Sequence, residues 1–221
     1  MIVRFSCIGA CLLLLGVVWI PLSCTKNLTQ QQVLFQSNFE NNKRDPLEVV
    51  SWNSTGTAVL PVPDLRISSF NGTHVLGKLN NGYIKLTLEG IASHQVLQTE
   101  FDLYLHDTWK NDLWRFAIND VNVLLTGFSN DTTVKQSYPN WLGNGSALSP
   151  AGKNAIEVNL PGACALASSS RGTSRYRIIS TIEHTGNSVT LIWGDAGGFF
   201  NDTCKRSWSI DNVKVTAITN Y

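Results

Sequence analysis

The ten residues 97–106, LQTEFDLYLH, constrain this chain more than any other stretch. Leu97, Thr99, Phe101, Leu103 and Leu105 fall on one side of an extended backbone; Gln98, Glu100, Asp102, Tyr104 and His106 fall on the other. An unbroken period of two over this length rules out an amphipathic helix and requires a strand with one face in a core. Trp114, Phe116 and Ile118 alternate in the same way with Arg115, Ala117 and Asn119, after a polar connection at 107–112. The spacing predicts that these two strands pair as the spine of an antiparallel sheet, with Glu100 and Asp102 on its wet face.

The pattern recurs along the chain. Short strand-like segments are expected at 34–40, 49–52, 58–62, 75–79, 83–88, 155–160, 176–182, 189–193 and 208–218, with Asn, Gly, Pro and Ser between them. Asn80-Asn81-Gly82 is expected to close the clearest hairpin, because Asn-Gly accepts the positive φ angles of a tight turn. No run of ten residues carries a helical period, so the fold expected is a single all-β antiparallel sandwich. Residues 129–153 form a long polar excursion without period, the kind of segment on which binding residues sit.

The first 23 residues form a leader separate from this domain. Arg4 precedes a nearly unbroken apolar run at 8–20, too short for a comfortable membrane span, which ends in Pro21-Leu22-Ser23. Leu22-Ser23-Cys24, followed by Thr25-Lys26, resembles the lipobox end of Gram-negative bacterial lipoproteins, in which the cysteine becomes the lipidated first residue. Pro21 stands where that pattern usually has Leu. The resemblance implies a signal peptide at 1–23, a lipid anchor on Cys24, a tether at 24–33 and a folded domain at 34–221 in the cell envelope, periplasmic or surface-facing. A cleaved, secreted chain is the alternative. Cysteine parity agrees with lipidation: once Cys7 and Cys11 leave with the leader, lipidating Cys24 leaves Cys164 and Cys204 to pair. Such a bridge closes a loop of about 40 residues and contributes roughly 3–4 kcal/mol on the chain-entropy estimate. Six N-x-Ser/Thr sequons, at Asn27, Asn53, Asn71, Asn130, Asn144 and Asn201, suit a eukaryotic glycoprotein. In a chain this rich in Asn, Ser and Thr they are read as chance triplets that mark exposed turns.

Two segments resemble known families. Residues 101–130, FDLYLHDTWKNDLWRFAINDVNVLLTGFSN, with QSYP at 136–139, are similar to a repeated extracellular module of bacterial and protist surface proteins. Lys110-Asn111-Asp112 stands where that module has Asp-Gly. The segment WSIDNVKV at 208–215 resembles the last strand of jelly-roll sandwiches of the carbohydrate-binding and MAM type. The resemblance implies an extracellular jelly roll. It also implies a structural Ca²⁺ held by the acidic residues of the first-strand "FE" and the last-strand "DNV", here Glu40 and Asp211. Asn38 or Asn212 and backbone carbonyls could complete its oxygen shell.

Composition and motifs narrow the function. Lys and Arg total 17 against 16 Asp and Glu, a formal charge of +1 with no basic stripe, which excludes nucleic acid as a main partner. Glu100-Phe101-Asp102 has the E-x-D spacing of one group of sandwich glycosidases. That chemistry needs a second carboxylate about 5–5.5 Å away, and the next same-face positions are Tyr104 and His106. His74, His94, His106 and His184 lack metal-site spacing and are expected at the surface. Aromatics remain. Trp109, Trp193 and Trp208 are expected to plug the sandwich, while Tyr138, Asn140, Trp141 and Asn144 make the best candidate sugar site, an aromatic face beside amide groups. The expectation is a non-catalytic, membrane-tethered module that binds glycan. An adhesion module with an envelope protein as partner and a glycan-active enzyme are the alternatives.

Overall fold

A computed structural model of the chain describes residues 29–52, 58–59, 66–140, 147–196 and 202–220. These residues contain strands and no helix. The strands are β1 (Thr29–Ser37), β2 (Glu48–Trp52), β3 (Ala58–Val59), β4 (Ile67–Phe70), β5 (Thr73–Leu79), β6 (Gly82–Glu89), β7 (Val96–Asp107), β8 (Lys110–Ile118), β9 (Val121–Ser129), β10 (Glu157–Leu160), β11 (Thr173–Glu183), β12 (Ser188–Asp195) and β13 (Arg206–Asn220). One sheet runs β10-β11-β7-β13-β5-β4, with β1 also against β13; the other runs β3-β2-β6-β12-β8-β9. This is a single all-β, antiparallel, jelly-roll-like sandwich. β1 takes in residues 29–33, the C-terminal half of the segment expected as a tether, because they pair with the end of β13.

β13 organises the first sheet. β7 follows one of its sides from Arg206 to Ile218. On the other side β5 pairs with Trp208–Ile210 and β1 with Val213–Asn220, so those two strands lie end to end. They meet at Asp211 and Asn212, where the β13 register shifts against β7. Gly77 permits the close approach at this junction. A Cβ there would sit 2.7 Å from Ser209 Cα, and its φ of +143° is one that side chains avoid.

Two strand pairs expected to pair side by side, β7 with β8 and β5 with β6, do not. β7 and β8 lie in opposite sheets, where Phe101 meets Trp114 and Phe116 across the core at 5.9 and 5.3 Å between ring centroids. β5 and β6, and likewise β11 and β12, also change sheet. The turn chemistry of Asn80-Asn81-Gly82 holds, with Asn81 at φ 57°. Asp195 fastens it as a corner by accepting the N–H groups of Asn81 and Gly82 at 2.8 and 2.9 Å. Two half-buried strands joined by a tight turn bury their apolar faces equally well side by side or face to face. Alternation alone does not distinguish the two. A true two-residue hairpin joins β8 to β9 through Asn119 and Asp120, both at positive φ.

The second face of β7 is wet only at its start. From Asp102 onward every residue is buried, because Phe70, Val75 and Leu160 pack with Tyr104 in a second small core. Phe70 also touches the His106 ring edge-on, 4.6 Å between centroids. Asp102 is therefore a buried residue, and so are His106 and His94, against the surface positions expected. Trp109, Trp114, Trp193 and Trp208 are fully buried. Each such ring removed from water contributes on the order of 2–3 kcal/mol.

Candidate functional site

Glu40 and Asp211 come together at the β1–β5–β13 junction. The backbone turns at Phe39, φ 58°, and places Glu40 beside the start of β5. The Thr73 hydroxyl lies 2.7 Å from Glu40 Oε1 and 3.1 Å from Asp211 Oδ2, and its one hydrogen serves a single carboxylate at a time. His74 adds its backbone N–H to Glu40 Oε1 at 2.9 Å and its Nδ1 to Oε2 at 2.7 Å. These bonds hold the Glu40 carboxyl down at about 2, the His74 side chain being the largest cause. Asp211 goes the other way. Burial, with the charges of Asp102 and Glu40 behind it, lifts its carboxyl to about 6, although Asn212 N–H and Thr73 bond to it.

Asp102 sits next to Asp211 in the register of β7 and β13. Arg177 of β11 grips both Asp102 oxygens, Nε on Oδ1 and Nη2 on Oδ2 at 3.2 Å. Asn212 turns its side-chain nitrogen inward, 2.9 Å from Asp102 Oδ2 and 3.3 Å from Asp211 Oδ2. Asn38 Oδ1 accepts the Glu40 N–H at 3.3 Å. The donor set at the junction is Glu40, Asp211 and the Thr73 hydroxyl, all hard oxygens. The 2.7 and 3.1 Å separations are hydrogen bonds through the Thr73 hydroxyl, and hard oxygens of this kind are the donor class that Ca²⁺ takes. Among the described residues no three His, Cys, Asp or Glu side chains form a metal cluster.

The polar excursion is anchored deeply. Tyr138 stacks on Phe128 at 4.7 Å and meets Tyr176 edge-on at 5.3 Å, and burial raises its hydroxyl pKa. It is a packing residue more than an exposed sugar platform. Gln136, fully buried, is the hub beneath it. Its Oε1 accepts from Ser129 N, Gly152 N and Tyr176 OH, and its Nε2 donates to Tyr138 O and Lys153 O, all at 3.1–3.2 Å. The Asn140 carbonyl accepts the Thr126 hydroxyl at 2.6 Å, and Asn140 Nδ2 donates to Ala147 O at 3.1 Å. Trp141 and Asn144 lie outside the described residues, as does Cys24. Cys164 and Cys204 are joined as a disulfide.

No family model and no curated protein matches the chain. Several solved structures share a loose likeness, three of them as follows. The K3 cleaved adhesin domain of Lys-gingipain from Porphyromonas gingivalis W83 has a TM-score of 0.41 at 10% identity, covering 84% of this chain and 100% of that one. A family 35 carbohydrate binding module from Clostridium thermocellum has a TM-score of 0.32 at 8% identity, covering 84% and 97%. Dimeric latent PorU from Porphyromonas gingivalis has 0.36 at 11%, covering 62% of this chain but only 10% of that longer one. Likenesses this faint carry no inference about ligand or activity.

Sequence reasoning brought Glu40 and Asp211 forward and missed their surroundings. Thr73, His74, Asp102 and Arg177 reach the junction only through long-range pairing, and no local motif marks them. Gln136 carried a weak signal as a lone amide within QSYP.

Proposed function

We propose that this chain is a membrane-tethered extracytoplasmic module that binds glycan through the excursion that follows β9. The observation that carries the reading is the bond from Asn140 to Ala147, which ties together the two ends of the six-residue segment holding Trp141 and Asn144. Tyr138 and Gln136 weld its base to the sandwich. Lipidated Cys24 would hold the module at the envelope surface. A glycan array tests the reading: wild-type protein should retain one class of glycan and Trp141→Ala should lose it. An array without binding, unchanged by that substitution, removes the sugar. Mass spectrometry of the mature N-terminus should find a diacylglyceryl group on Cys24; N-glycans on the chain would defeat the bacterial address.

The buried carboxylates support a non-catalytic role. Asp102 is committed to Arg177 and Asn212, and Asp195 to two backbone N–H groups and Arg206. Groups bound this way are poor general acids or bases. Ca²⁺ at Glu40, Asp211 and Thr73 would fasten the ends of β1 and β5 to β13. Its remaining oxygens would come from backbone carbonyls and water. A protein partner is the second reading, favoured by one feature. Among the described residues β11 pairs with β10 only as far as Arg175, leaving its later residues as a sheet edge that carries Ile179, 58% exposed. Capture of an envelope protein that Ile179→Lys abolishes would support this reading over glycan.

A further inference from the structure

Asp107 ends β7 in the left-handed region, φ 64°, and is fully buried. Its Oδ1 accepts the N–H groups of Cys164 and Leu166 at 3.2 and 2.8 Å, so the disulfide-tied segment pins it. Its Oδ2 has no hydrogen-bond partner among the described residues. Asn130, 9% exposed, spends its Nδ2 on the carbonyls of Leu105 and Asp107, at 2.6 and 3.0 Å. Its Oδ1 is equally without a partner. Burying an acceptor without a donor costs the full desolvation of that group, and native folds seldom tolerate two side by side.

Both residues line one cavity of about 390 Å³, together with Thr108, Asp131 and Thr132. The Trp109 carbonyl draws the two short segments together by accepting the N–H groups of Asn130 and Asp131, at 3.0 and 3.2 Å. Five residues with side-chain oxygens therefore line one cavity, carboxylate, amide and hydroxyl, with no sulfur or imidazole among the lining groups. That is the donor chemistry of a hard cation that takes six to eight oxygens. Asp131 Oδ1 also accepts the N–H and hydroxyl of Thr133 at 2.9 and 2.7 Å. The two lone acceptors belong to residues of this cavity's wall. Positive charge already stands nearby. Lys110 Nζ lies 3.5 Å from Asp131 Oδ2 on a half-exposed side chain, and Arg171 is on the cavity wall.

We propose that this cavity is a second cation site of the calcium class, with Asp107 and Asn130 as its buried oxygen ligands, Asp131 as its other carboxylate and Lys110 as an internal competitor for it. The site is independent of Glu40 and Asp211.

The test uses the full chain carrying Glu40→Gln, which silences the first candidate site, with Tb³⁺ as the probe. Trp109 donates its indole N–H to the His106 carbonyl at 3.1 Å, beside Asp107, and would sensitise bound Tb³⁺. Tryptophan-excited Tb³⁺ emission that Ca²⁺ displaces is the result expected. Asp107→Asn should weaken binding at least tenfold, and Lys110→Gln should strengthen it several-fold. The lysine is exposed, so its variant decides the matter even where Asp107→Asn fails to fold. Loss of emission with Glu40→Gln alone, or emission indifferent to both Asp107→Asn and Lys110→Gln, overturns the proposal.

Discussion

Asp102 and Asp211 stand opposite each other on β7 and β13, and the side-chain amide of Asn212 donates to both carboxylates, at 2.9 and 3.3 Å. Two buried acids at neighbouring positions repel unless something neutralises one of them. Arg177 does so for Asp102, which leaves Asp211 as the strained member of the pair.

Asp211 should therefore set a pH dependence. Its folded pKa, about 6, lies above the ordinary 3.8, so the native state holds the proton more tightly than the unfolded chain. Stability from this group is full below pH 3.8 and is lost as pH rises through about 6. Calcium at Glu40 and Asp211 requires the carboxylate, so its affinity should fall by up to ~10-fold per pH unit below pH 6. Melting curves across pH 4–8, with and without Ca²⁺, should show both trends, and Asp211→Asn should flatten them. A Ca²⁺ effect that persists in Glu40→Gln with Asp211→Asn would place the ion elsewhere.

Removing Arg177 strands a buried charge. Arg177→Ala leaves Asp102, fully buried, with Asn212 as its remaining partner. The guanidinium is 42% exposed, so the loss is discounted from the buried-pair range to about 2–4 kcal/mol. Urea midpoints should report it. A double variant with Asp102→Asn should recover most of the loss.

His106 should make the fold sensitive to acid. The ring is held between the hydroxyls of Thr173 and Ser209, at 3.1 and 2.9 Å. Burial, aided by the charge of Lys78, depresses its pKa to about 3. A depressed histidine contributes full stability above the unfolded value of 6.5. That stability is lost as pH falls from there toward 3, at up to ~1.4 kcal/mol per pH unit. His106→Gln should straighten this acid limb. A pH dependence between 6.5 and 4 that is the same in His106→Gln as in wild type would contradict the assignment, since Asp211 acts in the opposite direction over part of that range.

Gln136 should matter more to the excursion than any of its aromatics. Gln136→Leu deletes five hydrogen bonds and takes from the Ser129 N–H its Gln136 acceptor, while the Gly152 N–H keeps the Ser129 carbonyl at 3.2 Å, a cost of about 2–4 kcal/mol after relaxation. Amide exchange at Ser129 and Gly152 should quicken before exchange in β7 does. A uniform change across the domain would mean that Gln136 only adds global stability.

Much of the architecture was legible from residue order. The alternation at 97–106 and 208–218 marks β7 and β13, and the Asn81 turn occurs where the Asn-Gly pair put it, since these features depend on neighbours one or two residues apart. Partnership was not legible. Asp102 was expected in water because its alternation is polar, yet Phe70 and Leu160, 32 and 58 residues away in sequence, roof the outer face of β7 with their packing.

The sequence by itself determined that this chain is extended rather than helical and that its strands have one strongly apolar face, and a family resemblance singled out Glu40 and Asp211 together. Tertiary structure decided which strands pair and which face each other across the core. It also decided which polar groups are buried without partners. Period and turn chemistry are local, whereas burying a carboxylate such as Asp107 or Asp211 is settled only when chain distant in sequence closes over it.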